Sequence, residues 1–434
     1  MPSSVAEVQA KLSGTPARAT RQRLVLGTIL FFAMVTAYID RVNISILAAS
    51  NAFLVDMGIK GQPVKIGMLM TLFLIAYAVG QLLLSPIGDY WGPRKAMCGA
   101  VILMAISMLV GGIGPTFMVM LLSRVVLGLG EGIEFPLHST FVKTWFPPQE
   151  RGKANAVWNV GTVLGPAVAM PFFAWIVASR GWHWSFFVCA VLGMGPLYLF
   201  WFHTTDTPRE HKKVNVLELQ HIEAGLTKEA QSVDEGKGES LWENVRLVIS
   251  NYRVWLSIVI GITNYGVYWG LVTWLPTYLK TARGFSWTAM GILSSMPFIL
   301  SIASKLIGGW ASDYVGRRAP FCAIGALGAA ISIYFSPAVA NNYTSAVLIS
   351  FGLGLQLVGT PLNLTMLQGF VPTRVVSLAA GIMGGISFGF ASFVPALIGY
   401  TIGLTGSFNG GFYILVGMSL AGMIASLVLS IQKY

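Results

Sequence analysis

The sequence predicts an all-α membrane protein of twelve transmembrane helices in two six-helix bundles, and three observations predict it. The 434 residues are 55% hydrophobic and only 10% charged, with a mean hydropathy of +0.69, whereas soluble domains carry about 25% charged residues. Apolar stretches of the roughly 20 residues needed to cross a hydrocarbon core follow one another from about Leu24 onward. One loop sequence also recurs half a chain later, which divides the stretches six and six.

The spans fall at approximately 25–48, 66–86, 96–114, 117–140, 154–178, 186–203, 254–279, 289–311, 320–339, 344–368, 376–403 and 410–431. They are continuous apolar runs and lack the alternation of apolar and polar residues that marks the strands of a membrane barrel. The 49 glycines suit close helix packing in lipid. The domain plan is a polar tail at 1–24, an N-terminal bundle at 25–203, a polar linker at 204–253, a C-terminal bundle at 254–431 and a short end at 432–434. Residues 1–24 are polar and the first apolar run carries no cleavage site, so that run is read as a retained span. Cys98, Cys189 and Cys322 lie within spans without metal-ligand spacing, and are read as packing residues.

Charge orients the chain. With the N-terminus inside, 20 of the 28 Lys and Arg fall on the inner side, five on the outer side, and Arg41, Arg124 and Lys305 within helices. Both termini are therefore expected in the cytoplasm, in a bacterial inner membrane. The net charge of +11 follows from this sidedness, so no nucleic-acid partner is expected. In the linker, Val214, Leu217, Leu219, Ile222 and Leu226 suggest a short amphipathic helix on the inner face.

The recurring loop reads SPIGDYWGPRK at 85–95 and GWASDYVGRRA at 309–319. Asp89 matches Asp313 and Gly92 matches Gly316, an offset of 224 residues, and basic pairs follow, Arg94 with Lys95 and Arg317 with Arg318. An acid at a helix end, a glycine turn and paired cations can bridge neighbouring helices, so these residues are candidate latches. The loops resemble the signature of the major facilitator superfamily. The first copy departs from it at Ser85 and Pro93. The resemblance implies two bundles that rock about a central site near the membrane midplane.

Ionisable residues within spans are costly and mark candidate sites. In helix 1, TAYIDRVNISI puts Asp40 and Arg41 roughly 22 Å from the inner edge. In helix 4, LLSRVVLGLGEGIEFPLHSTFVKTWFP puts Arg124 at a similar depth, so an Asp40–Arg124 pair is expected. Arg124, Glu131 and His138 recur every seven residues and share a face, with Glu134 one turn beyond Glu131. Gly128, Gly130 and Gly132 would let a neighbour come close. A carboxylate that alternates between an apolar and a paired setting can load and release a proton. Glu131 is the first candidate carrier, Asp40 the second and Glu134 the third. Arg41 and Arg124 can fork onto a carboxylate, which points to an anionic substrate. Lys305, eight residues before Asp313, is a candidate for the inner half of the cavity. On helix 7, Asn264, Tyr265, Tyr268 and Trp269 cluster as pocket or gate residues.

YIDRVNIS together with GEGIEFP and KTWFPPQERGKA resembles the anion:cation symporter family, whose members include galactonate, glucarate, hexuronate, tartrate and phthalate transporters. That resemblance implies proton-driven uptake of an organic carboxylate, with Asp40 and Glu131 as coupling residues, Arg41 as the carboxylate ligand and Tyr77 as a pocket tyrosine. Members resembling the galactonate transporter carry amides where a line-up gives Thr162 and Gly384 here, and a tryptophan at Leu364. This puts a polyhydroxy substrate in doubt and leaves an aromatic or less hydroxylated acid open.

No nucleophile with a neighbouring base, metal cluster or phosphate-cradling loop is recognisable, so neither an enzyme nor a metal or cofactor is expected, and protons serve as the coupling ion. An antiporter of the same superfamily, suggested by GTVLGPAVAMP in helix 5, and a metabolite-sensing receptor are the competing readings. A monomer that partners a small organic anion, protons and the lipid bilayer is expected.

Overall fold

A computed structural model describes residues 19–84, 86–114, 116–233, 241–372 and 375–432, almost all of them helical. The tail at 1–18, the end at 433–434, Arg374 and the side chain of the candidate latch residue Asp89 lie outside the described residues.

The N-terminal half consists of α1 (Gln22–Leu47), α2 (Pro63–Leu84), α3 (Pro93–Ile113), α4 (Phe117–Trp145), α5 (Pro148–Arg180) and α6 (His183–His203). The C-terminal half consists of α7 (Tyr252–Ala282), α8 (Trp287–Val315), α9 (Ala319–Phe335), α10 (Asn342–Phe370), α11 (Val376–Thr405) and α12 (Asn409–Ile431). Ten helices among the described residues are long and apolar enough to span a bilayer. The other two are α4, whose 29 residues include Arg124, Glu131 and Glu134, and the shorter α9.

The repeat read from the loops extends to the packing. In the first half α1 packs on α5, α2 on α4, and α3 on α4 and α6; in the second, α7 packs on α11, α8 on α10, and α9 on α10 and α12. Every pair recurs six helices later.

Several helices are less regular than their apolar runs predict. α5 starts six residues earlier than expected, because Pro148 opens a helix without needing its missing N–H. α2 ends in a π-helical turn at Gly80–Leu84. α10 breaks between Gln356 and Gly359, and α11 between Ala391 and Val394. Pro361 and Pro395 follow the breaks and remove a backbone donor each, which explains why neither helix runs through.

The halves meet through α2 with α11, α5 with α8, and α1 with α7. The first two contacts form seams near the end of the molecule away from the linker. A Cβ on Gly67 would lie 2.4 Å from the Pro395 carbonyl oxygen, and one on Gly399 the same distance from that of Pro63. A Cβ on Gly291 of α8 would lie 2.7 Å from Ala174 Cβ and 2.8 Å from Pro171 Cα of α5. The Ala396 N–H donates to Thr71 Oγ1 at 3.2 Å across the α2–α11 seam.

At the linker end, Arg94 donates through its side chain to the Trp201 carbonyl and through its N–H to Asp206 Oδ1 at 2.8 Å, tying α3 to α6. Arg317 donates to the Ser430 carbonyl and ties α9 to α12. The arginine stands one residue later in the first copy because Pro93 takes the first helical position. Gly92 has φ +82° and its Cβ would meet the Asp206 carboxylate at 2.7 Å, so only glycine fits there. Arg318 reaches Asp313 at 3.4 Å within its own loop, in a largely exposed pair of little energetic weight.

The linker forms helices Val216–Val233 and Leu241–Ile249. The first carries part of the apolar stripe expected of it: Ile222 is buried, Leu219 and the preceding Val214 are partly buried, Leu217 is exposed, and the Leu226 side chain lies outside the described residues. Its buried side also presents Glu218 and Gly225, while Val216 is exposed. Glu218 accepts from Thr20 Oγ1 at 2.6 Å, the N–H groups of Gln22 and Arg23 at 3.0 and 3.1 Å, and Arg23 Nη1 at 3.1 Å. It thus caps the start of α1, where free N–H groups and the helix dipole favour an anion. Glu150 of α5 completes the cluster, accepting from Arg23 Nε at 2.8 Å with His221 Nε2 at 2.9 Å.

Candidate functional site

Two glycines build the site. Gly128 and Gly132 of α4 lie against α2 so closely that a Cβ on either would stand 2.3 Å from the carbonyl oxygens of Phe73 and Tyr77. Gly130 turns the other way, toward Ala100 and Met104 of α3. With α4 drawn onto α2 in this way, Glu131 comes under the end of α1.

There it meets Arg41. The Arg41 Nε donates to Glu131 Oε2 at 2.7 Å and Nη2 lies 2.6 Å from the same oxygen. Both side chains are buried, and Glu131 Oε1 is buried without a hydrogen-bond partner. Charge-assisted bonds of this kind are about twice as strong as neutral ones. Rings surround the guanidinium. Its carbon lies 4.2 Å from the centroid of Tyr38, 4.7 Å from Tyr77 and 5.4 Å from both Phe73 and Trp269. Tyr38 is one turn before Arg41 on α1, Phe73 and Tyr77 are on α2, and Trp269 comes from α7 in the other half. Phe388 of α11 closes the ring cluster against Tyr77, Tyr265 and Trp269, with centroids at 5.0, 5.7 and 6.2 Å.

Asp40 takes a different direction. It is buried beside the Cys189 thiol of α6, and its Oδ1 has no hydrogen-bond partner. Arg124 is also buried there, under Phe186 and with Nη2 3.6 Å from the Met108 sulfur. The expected Asp40–Arg124 ion pair is not formed among the described residues. Successive residues on a helix point about 100° apart, so Asp40 faces the interior of its own bundle while Arg41 faces the centre. Cys189, read from sequence as inert packing, is instead a neighbour of this carboxylate.

Further along α4, Glu134 is buried with Oε1 unpartnered and 4.0 Å from His138 Nε2. The His138 Nδ1 lies 2.9 Å from the Glu134 carbonyl and Nε2 3.0 Å from that of Leu30, so the ring pins α4 to α1. A neutral imidazole donates through one nitrogen, and only the imidazolium satisfies both contacts. The seven-residue spacing of Arg124, Glu131 and His138 thus marks a wholly buried face.

Other expected site residues lie apart from Arg41. Asn264 accepts from Gln356 Nε2 at 2.9 Å, and Ser419 donates to Gln356 Oε1 at 2.9 Å, in a buried chain linking α7, α10 and α12. Thr162 donates to the Asn159 carbonyl at 2.8 Å within α5. Lys305 is half-buried on α8. Tyr265 joins the cluster through Phe388, and Tyr268 through its edge-to-face contact with Trp269 at 4.8 Å. Sequence reasoning missed Tyr38, Phe73 and Phe388, although the three-residue spacing of Tyr38 and Arg41 places them on one helix face.

Among the described residues no group of His, Cys, Asp and Glu is arranged to hold a metal ion. The site thus holds a guanidinium against a carboxylate that has one oxygen left over, among aromatic rings of both halves.

The model of the Major Facilitator Superfamily matches residues 30–395. The probable sulfoacetate transporter SauU of Cupriavidus necator is 28% identical over 426 residues, 95% of each chain. The probable galactarate/D-glucarate transporter GudP of Bacillus subtilis is 29% identical over 96% of this chain and 94% of its own. The probable L-galactonate transporter of Escherichia coli is 27% identical over 99% and 94%. Among solved structures, a D-xylose–proton symporter aligns with a TM-score of 0.72 at 16% identity, covering 93% of this chain and 96% of that one. A bacterial homolog of the human lysosomal transporter Spinster, inward-facing and unoccupied, aligns at 0.73 and 16%, covering 94% and 98%. At such identity the likeness is one of fold.

Proposed function

We propose, from the premise that this chain belongs to the Major Facilitator Superfamily, that it is a secondary transporter coupling inward proton flow to uptake of an organic carboxylate. The observation that carries this reading is the Arg41–Glu131 pair, in which a guanidinium packed against Trp269 of the other half is held by a carboxylate with a spare buried oxygen. A proton taken up by Glu131 cancels its charge and frees the Arg41 fork for a substrate carboxylate. Loss of that proton restores the competitor and releases the substrate. One cation thus serves proton and anion in turn, which makes their movements interdependent.

Alternating access completes the cycle. The halves touch through the glycine seams at the end away from the linker, and the charge count puts the linker end in the cytoplasm of a bacterial inner membrane. On this reading the seams close the outer side and the cavity opens inward, and rocking about the Arg41 level would expose the other side. Relatives named as transporters of sugar acids and a sulfonated acid support an anionic substrate.

Purified protein in liposomes with an alkaline interior tests the reading. Labelled organic acids are expected to accumulate above the external concentration and to leak out when a protonophore is added. Accumulation indifferent to the protonophore would exclude proton coupling, acceleration of export by the inward proton gradient would establish the antiporter, and binding without movement would establish the receptor.

A further inference from the structure

The chemistry around Arg41 restricts which acid can bind. A carboxylate reaching this guanidinium arrives among Tyr38, Tyr77 and Trp269, whose rings lie 4.2, 4.7 and 5.4 Å from the guanidinium carbon. The body of the same molecule then meets Phe388, which packs on Tyr77, Tyr265 and Trp269. Tyr38, Tyr265, Tyr268 and Phe388 are all partly exposed around a buried Arg41, as expected of side chains that line a cavity.

Among the described residues, several amides that could serve a hydroxyl-rich body are already engaged. The amides of Asn264 and Gln356 are joined to each other, with Ser419 on the latter. The Asn363 amide donates to the Ser257 carbonyl at 2.9 Å. Tyrosyl hydroxyls remain, together with the Trp269 indole N–H, Asn363 Oδ1 and the Asn43 amide, which are buried and unpartnered. Each substrate hydroxyl that loses water without finding a partner costs about 1–3 kcal/mol. A chain of several hydroxyls would incur that cost repeatedly, whereas a ring gains contact with aromatic surface.

The space also suits a ring. Gly384 and Gly381 stand one and two turns before Phe388 on α11, on the same face, and a Cβ on either would meet nothing within 4 Å. Beside the aromatic wall there is therefore an open flank made of backbone.

We propose that the substrate is an aryl carboxylate, its carboxylate on Arg41 and its ring against the wall formed by Tyr265, Trp269 and Phe388. This rests on the transport reading above and names the class of acid within it.

Thermal shift of the detergent-solubilised protein and inhibition of uptake in liposomes test it with three probes: benzoate, galactonate and sulfoacetate. Benzoate is expected to raise the unfolding midpoint and to inhibit at concentrations at least tenfold below either of the others. Phe388→Ala is expected to lower the preference for benzoate over galactonate at least tenfold, and Phe388→Leu, which keeps most of the volume and so guards against a folding defect, to lower it as well. Tighter binding of galactonate or sulfoacetate, equal binding of all three, or an unchanged preference in a folded Phe388 variant would overturn the aryl assignment while leaving carboxylate transport intact. If none of the acids binds or moves, the transport reading itself falls, and this inference with it.

Discussion

Two nitrogens of Arg41 converge on one oxygen of Glu131, at 2.7 and 2.6 Å, and the other oxygen of that carboxylate is buried without a partner. The pair is thus complete from the side of the cation and incomplete from the side of the acid. Its two ends should respond differently to substitution.

Glu131→Gln keeps the shape of the side chain and removes its charge. Substrate should still bind and exchange across the membrane, because Arg41 is then permanently free, but a pH gradient should no longer drive accumulation. Counterflow and gradient-driven uptake, measured on the same liposomes, separate the two. Full accumulation by the variant would remove Glu131 from the coupling.

Arg41→Lys retains a positive charge and loses the planar fork. Since hydrogen bonds to charged groups contribute about 1.5–3 kcal/mol each, substrate affinity should fall roughly 10- to 100-fold. Isothermal titration calorimetry reads this directly, and an unchanged affinity would place the substrate carboxylate elsewhere.

Asn264→Ala should act on stability and leave preference among acids alone. Its carbonyl accepts from Gln356, so truncation leaves a buried donor unpaired at a cost of about 1–3 kcal/mol. A lowered unfolding midpoint with an unaltered ranking of ligands is the expected result. A changed ranking would return Asn264 to the binding site.

Glu218 gives a prediction in pH. Burial raises its carboxyl, but the hydrogen bonds from Thr20, the Arg23 and Gln22 N–H groups and the Arg23 side chain outweigh burial and hold it below the usual carboxylate range. A group depressed in the folded state stabilises above its unfolded value, and that stabilisation is lost as pH falls through the folded one. Glu218→Gln should therefore destabilise by about 1 kcal/mol at neutral pH, and the difference from the parent should vanish in acid. Thermal unfolding across pH checks this, and a difference that persists in acid would contradict it.

Gly67→Ala should disfavour the state described here, since the new Cβ would lie 2.4 Å from the Pro395 carbonyl oxygen and overpacking of this kind costs about 1–3 kcal/mol. A cysteine at Ala396 should then react faster with an impermeant maleimide added from the outside. Unaltered labelling would mean that the seam is not the closing surface.

The number of spans, the two halves and the charged residues of α1 and α4 were legible in the sequence because each is a one-dimensional signal: hydropathy, repetition, and ions within apolar runs. Partnership was not. Depth along the helices paired Asp40 with Arg124, but depth ignores azimuth, and the neighbours Asp40 and Arg41 diverge toward Cys189 and Glu131. Asn264 illustrates the converse, a polar residue beside a tyrosine whose amide is spent on Gln356 of another helix, a contact 92 residues away. The breaks in α10 and α11 had a local signal in Pro361 and Pro395, which continuous apolarity masked. Glu218 had none, because a buried acid in a polar linker resembles every exposed one.

The α2–α11 seam is built from glycine set against backbone carbonyl, at Gly67 with Pro395 and at Gly399 with Pro63. Those positions resist change, since any larger residue keeps the surfaces apart. The rings around Arg41, on α1, α2, α7 and α11, meet through side chains, as Tyr77 and Phe388 do at 5.0 Å, and among the described residues no backbone carbonyl stands against them in the way one stands against Gly67 or Gly399. A lineage could therefore exchange Phe388 or Trp269 and acquire a new diet without relearning how to move, and anyone wishing to redirect this protein to another acid should alter the wall and leave the hinge faces untouched.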